Sequence, residues 1–117
     1  MSRTSTSSPK PGDVVLVEAP FTDLSQSKKR PAIVLLSRGQ DHLVAFVTSR
    51  IEQAGPDDVV VTASADNGLA VDSAALVTKL FTLHQSLIGR TLGRLGKSEH
   101  QVIVERLVNL LRATVDL

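Results

Sequence analysis

The chain has 117 residues, with 13 Lys and Arg against 12 Asp and Glu, no cysteine, and three phenylalanines as its only aromatic side chains. Disulfides, thiolate metal sites and a cysteine nucleophile are therefore excluded, and nothing argues for an oxidising compartment. A formal charge of +1 excludes a protein coated in positive charge for duplex binding, and the lack of Trp and Tyr excludes a base-stacking platform.

No apolar run approaches the roughly 20 residues that span a bilayer, so the expectation is a soluble, cytoplasmic protein. Residues 1–11, rich in Ser and Thr and without an apolar centre, read as a disordered leader, and 12–117 as a single domain. Val14 to Val17 predicts a first strand, opened by Gly12-Asp13 and closed by Ala19-Pro20. Phe21 to Lys29 follows as a loop. Pro31 to Ser37 is nearly continuously apolar, as in a strand buried on both faces.

Arg38-Gly39-Gln40-Asp41 supplies a turn, and His42 to Thr48 a third strand. Asp58 to Thr62 predicts a fourth, Ala74 to Leu80 a fifth, and Thr91 to Leu95, fenced by Gly89 and Gly96, a weaker sixth. His84 to Leu87 suits a short helical turn. Ser98-Glu99-His100-Gln101 fits a capping box, and Val104, Leu107, Val108, Leu111 and Val115 make an apolar stripe expected to pack over the sheet, with Glu105, Arg106, Asn109 and Arg112 on the other side. Short strands with regular turns, then one helix, predict a small, strongly curved antiparallel sheet or barrel.

The loop before the second strand ends in Lys28, Lys29 and Arg30, stopped by Pro31. Proline fixes its own φ and biases its predecessor toward extended geometry, so Arg30 is held at the mouth of that strand. With Gly39-Gln40 as a two-residue hairpin loop, Arg30 sits opposite Ser49; with a loop one residue longer, it faces Thr48. Either register sets an arginine against a hydroxyl, with Lys28, Lys29 and Arg50 at the same end. Four cations and two hydroxyls make a phosphate-sized mouth. Solvated loop charges are the plain alternative.

Gly12-Asp-Val-Val-Leu-Val, Pro20-Phe-Thr-Asp, Lys29-Arg-Pro-Ala-Ile-Val-Leu, Val47-Thr-Ser, Lys79-Leu-Phe-Thr-Leu and Ile88-Gly-Arg-Thr-Leu-Gly-Arg-Leu occur in that order. In order and spacing they resemble the PemK/MazF family of toxin endoribonucleases, from Gly12 through the terminal helix. The resemblance implies a mainly β, SH3-like barrel with a C-terminal helix, a homodimer, and metal-independent cleavage of single-stranded RNA. It also implies a cognate antitoxin covering the RNA groove, and it calls for no cofactor. Carried over by position, Arg30 and Thr48 are the catalytic pair, and Lys28, Lys29, Ser49, Arg50 and Lys79 are RNA-binding residues.

The chemistry suits those residue types. RNA carries its own nucleophile, the 2′-hydroxyl, so a protein need only orient it, move protons and stabilise charge on the phosphorane. Arg30 would clamp the phosphoryl oxygens, with proton donation to the leaving oxygen as a second role, while Thr48 would hydrogen-bond the phosphate or the 2′-hydroxyl. One departure stands out: some members carry an Arg-x-Asp pair where this chain has Leu76 and Thr78. The expected carboxylate base is absent, which opens two alternatives, an inactive member or a CcdB-like binding module acting on DNA gyrase.

Other candidates carry less. His42 and His100 read as surface histidines, and His84 lies in a loop. Asp57, Asp58, Asp66 and Asp72 read as turn and strand-end acids rather than a cation site. Ser49 and Ser86 lack the Gly-x-Ser-x-Gly elbow, and Arg90 and Arg94, with Lys79, stand as extensions of the basic face or as solvated charges.

Overall fold

The structure, a computed structural model, describes residues 8–18 and 29–116. Most of the expected leader, the expected loop from Phe21 onward and Lys28 lie outside the described residues. β-Branched and aliphatic runs form six strands: β1 (Asp13–Glu18), β2 (Lys29–Arg38), β3 (Asp41–Thr48), β4 (Val59–Val61), β5 (Ser73–His84) and β6 (Ile88–Arg94). One helix, α1 (Lys97–Thr114), follows, and 3-10 turns occupy Ile51–Gln53 and Gln85–Leu87. All strand pairs are antiparallel, in the order β4-β5-β3-β2-β1-β6, so the fold is the expected mainly β sheet with a C-terminal helix. No helix among the described residues is long and apolar enough to cross a membrane.

Alternation along the strands sends side chains to two apolar clusters. Val14, Ile33, Val47, Ala75 and Val77 join Ile103 of α1 in one, while Val15, Ala32, Val34, Val44 and Phe46 belong to the other. Ala32, Ile33 and Val34 are all fully buried, so β2 is covered on both faces as its sequence implies.

The sheet is not closed into a hydrogen-bonded barrel, because β4 and β6 remain at its two edges. The loop between β4 and β5 spans the gap instead. Asn67, wholly buried, accepts from the Ser64 and Leu69 N–H groups at 3.0 Å each and donates to the Thr62 carbonyl at 2.9 Å. Arg94 N–H then donates to the Asp66 carbonyl at 2.7 Å, tying the loop to β6. Two glycines permit this approach: a Cβ on Gly68, where φ is +73°, would lie 2.1 Å from the Leu92 carbonyl oxygen, and one on Gly93 would lie 2.3 Å from that of Asp66. Gly89 and Gly93 therefore sit inside β6, which starts three residues earlier than its composition predicts.

Strand β5 runs to His84, four residues past its expected end. Opposite β3, Ala45 pairs with Leu80 but Val47 with Ala75, so Leu76 to Lys79 bulge out across from Phe46. The bulge interrupts the alternation, and the strand reads as ending where it resumes.

The helix differs from expectation at both its cap and its face. Gly96, not Ser98, is the N-cap, and its N–H donates to Glu99 Oε1 at 3.0 Å. Glycine returns no side-chain bond, so only half of a capping box forms, displaced two residues from Ser98 and Gln101. Ile103 enters the core, Leu110 packs against it and Leu107 is half-buried, whereas Val104, Val108, Leu111 and Val115 of the expected packing stripe are exposed. The two apolar rows both keep three- and four-residue spacing and are rotated by about 100° from each other, so periodicity does not choose between them. Arg106, expected on the solvent side, donates to the Asp57 carbonyl at 3.0 Å and anchors the helix to the approach to β4.

Candidate functional site

The hairpin of β2 and β3 uses both anticipated registers. Near its Gly39-Gln40 turn Arg38 faces Asp41, Ser37 faces His42 and Leu36 faces Leu43; past a bulge at Leu35 the pairing slips by one, with Val34 opposite Val44 and Ala32 opposite Phe46. Carried two residues further, the slipped register sets Arg30 opposite Thr48. Gly39 takes φ +59°, as a tight turn requires.

Arg30 is more firmly placed than Pro31 alone would achieve. Its backbone pairs with Val17 of β1, while Pro31 pairs with Leu16 and Lys29 with Glu18. The side chain is exposed and lines two cavities at this end of the sheet. Thr48 ends β3, where it pairs with Ala74, and its Oγ1 accepts the Arg50 N–H at 3.1 Å. A hydroxyl that accepts from the backbone keeps its own proton to donate.

Two cavities, of about 600 and 430 Å³, share Arg30, Val47, Thr48 and Gln53 as the ridge between them. Lys29, Ser49 and Arg50 line the larger one. Lys79 lines the smaller, together with Leu76, Thr78 and Asp58. Six of the seven proposed site residues thus gather around one ridge; the seventh, Lys28, lies outside the described residues. Arg90 and Arg94 line neither cavity, and Arg94 is paired to Asp13 at 2.8 Å on the β1–β6 side of the sheet.

Gln53, which the sequence did not single out, and Asp58 join these residues in the cavity linings. Asp58 reads as a strand-end acid, yet its Oδ2 accepts from Gly55 N–H at 2.8 Å and its Oδ1 from Val77 N–H at 3.1 Å. The second bond caps an amide within the β5 bulge, so the carboxylate enters the site only because the bulge exists. No spacing in the chain signals that. Leu76 and Thr78, the positions that depart from the family's Arg-x-Asp, line the same cavity as Asp58.

The histidines stand elsewhere. His42, expected at the surface, is buried, with Nδ1 2.7 Å from Ser37 Oγ and Nε2 3.1 Å from Gln85 Oε1. The inward face of β3 leaves it no route to solvent. His84 is exposed and bonds Ser86 and Gln40, and His100 is half-buried beside Gly12. None lines either cavity. Among the described residues no group of three His, Asp or Glu side chains is placed to hold a metal ion.

This fold, with a cationic mouth where β2 begins and β3 ends, defines a class that sequence comparison names directly: residues 10–111 match the family of PemK-like, MazF-like toxins of type II toxin–antitoxin systems. The chain belongs to that family. Among solved structures it is similar to MazF from Deinococcus radiodurans, at 22% identity and a TM-score of 0.72, with 91% of this chain and 98% of that one covered. The Mycobacterium tuberculosis toxin MazF-mt6 is 22% identical with a TM-score of 0.67 over 86% and 96% of the two chains. A mycobacterial endoribonuclease in complex with its cognate antitoxin is 16% identical with a TM-score of 0.68 over 91% and 95%. No protein of curated function matches the sequence.

Proposed function

We propose that this chain is the toxin of a toxin–antitoxin pair and acts as an endoribonuclease on single-stranded RNA, without a metal. The observation that carries the reading is the placing of Arg30 and Thr48 on one ridge, with the Thr48 hydroxyl already accepting from the Arg50 N–H and so free to donate. Arg30 grips the phosphoryl oxygens of the scissile phosphate, and Thr48 donates to one of them. The RNA 2′-oxygen loses its proton to water and attacks phosphorus; the bond to the 5′-oxygen breaks, and that oxygen takes a proton from water. The products are a 2′,3′-cyclic phosphate and a 5′-hydroxyl.

Lys29, Ser49 and Arg50 hold the backbone along the larger cavity, and Lys79 contributes from the smaller one. The same proposal includes two protein partners. A second copy of the chain covers the exposed Val104, Val108, Leu111 and Val115 stripe. A cognate antitoxin covers the cationic mouth; that such a partner exists is supported by the structural relative that is itself bound to its cognate antitoxin. The test is incubation of the purified chain with single-stranded RNA in EDTA. Cleavage that disappears in Arg30→Ala is the expected result, and RNA left intact at high protein concentration would contradict it.

A further inference from the structure

The two cavities flanking the Arg30–Thr48 ridge differ in charge. The larger carries Lys29 and Arg50 and no carboxylate, which suits the sugar–phosphate backbone. The smaller has Lys79 but also Asp58, held between the Gly55 and Val77 N–H groups at 2.8 and 3.1 Å. A carboxylate opposes a phosphate, so this is a poor place for a second one. What a fixed carboxylate takes is an N–H donor, and each Asp58 oxygen keeps a lone pair beyond the one its backbone donor uses.

The rest of the lining points the same way. The Gln53 amide offers a donor and an acceptor, and the Thr78 hydroxyl offers both. Phe46 and Leu76 give the cavity an apolar wall. A flat heterocycle with apolar faces and a mixed donor and acceptor edge fits that set, and at about 430 Å³ the space accepts a nucleoside. Carboxylates read the amino group of cytosine by accepting from it, whereas uracil places a carbonyl there and would set lone pair against lone pair.

Resting on the RNA reading of the ridge, we propose that the smaller cavity is a nucleobase subsite selective for bases with an exocyclic amino group. Asp58 accepts from that amino group, and Gln53 and Thr78 pair with the remainder of the edge. The adjoining phosphate lies on the Arg30–Thr48 ridge.

Binding of nucleoside 3′,5′-bisphosphates, which carry a phosphate on either side of the base, tests this without any need for turnover. Titrations followed by amide NMR shifts should show the cytidine compound binding about tenfold tighter than the uridine one, and the guanosine compound about tenfold tighter than the inosine one. Shifts should centre on residues 53–58 and 76–79. Asp58→Asn, which turns one accepting oxygen into a donor, should shrink each ratio to less than about threefold, and Thr78→Val and Gln53→Ala, both at exposed positions where the fold tolerates change, should weaken binding of the cytidine and guanosine compounds. Equal affinities within both pairs, or ratios untouched in a folded Asp58→Asn, would overturn the subsite. Discrimination between bisphosphates by a chain that leaves RNA intact in EDTA would retain the subsite and reject the ribonuclease reading; RNA cleavage without discrimination would do the reverse.

Discussion

Thr48 carries two duties through one hydroxyl. Its Oγ1 fixes the turn at Arg50 by accepting the backbone N–H at 3.1 Å, and in the proposed reaction its proton serves the phosphate. Thr48→Val removes both at nearly constant volume and should lower kcat/KM for RNA by about 10²-fold, the scale of losing one oxyanion donor. Thr48→Ser keeps the hydroxyl and should recover activity to within about tenfold of the parent. Arg30→Ala should abolish cleavage while leaving the urea midpoint nearly unchanged, since the side chain is exposed and bears no core packing. Much of this pair was legible in the sequence, because Pro31 marks where β2 enters the sheet and Gly39-Gln40 fixes the hairpin to within one residue. Which register runs toward Arg30 was not, since the deciding feature is a bulge at Leu35 inside a featureless apolar run.

The helix carries two apolar rows with different fates. Ile103 is fully buried within the core cluster, so Ile103→Ala should cost about 2–5 kcal/mol by urea unfolding. Val108 and Leu111 are 43% and 60% exposed, and their replacement by alanine should cost a monomer no more than about 0.5 kcal/mol. Under the proposed homodimer, Leu111→Asp should instead convert a sedimenting dimer to a monomer with helix content retained; a dimer that persists would place the second copy elsewhere. Sequence periodicity located this helix but misjudged its inward face, because both rows satisfy the same spacing and only the position of β4 and β5 beneath selects between them. His42 was misread for a related reason: its polarity says surface, while the pairing of β3 with both β2 and β5 turns it inward, where Ser37 and Gln85 satisfy its ring.

At the scale of the molecule, the open sheet is held across its gap by backbone contact. Gly93→Ala would drive a Cβ into the Asp66 carbonyl at 2.3 Å, so it should destabilise by roughly 2–4 kcal/mol, measured by urea unfolding, although the residue it replaces makes no side-chain contact at all. The curved antiparallel architecture could be read from strand spacing, but this seam could not: it depends on Asn67 being buried and on Gly68 and Gly93 each letting the opposite segment's backbone come close. Charge is distributed with the same economy. With a net charge of +1, the proposed RNA affinity falls to the local cations at the mouth. With Lys29, Arg30 and Arg50 each neutralising one phosphate, log K should fall against log salt with a slope of about −2 for single strands, and Arg94→Ala, at a paired residue beside neither cavity, should leave that slope unchanged.

The central claim is that the RNA supplies its own nucleophile while Arg30 and Thr48 stabilise the reacting phosphate. Its most direct test compares an RNA oligonucleotide with the same strand carrying a single 2′-deoxy substitution at the cleaved nucleotide, both incubated with the protein in EDTA. The account predicts that the all-ribo strand yields 2′,3′-cyclic phosphate and 5′-hydroxyl ends, while the substituted strand stays intact at that position. Cleavage of the deoxy-substituted strand there, or products with 5′-phosphate ends, would contradict it.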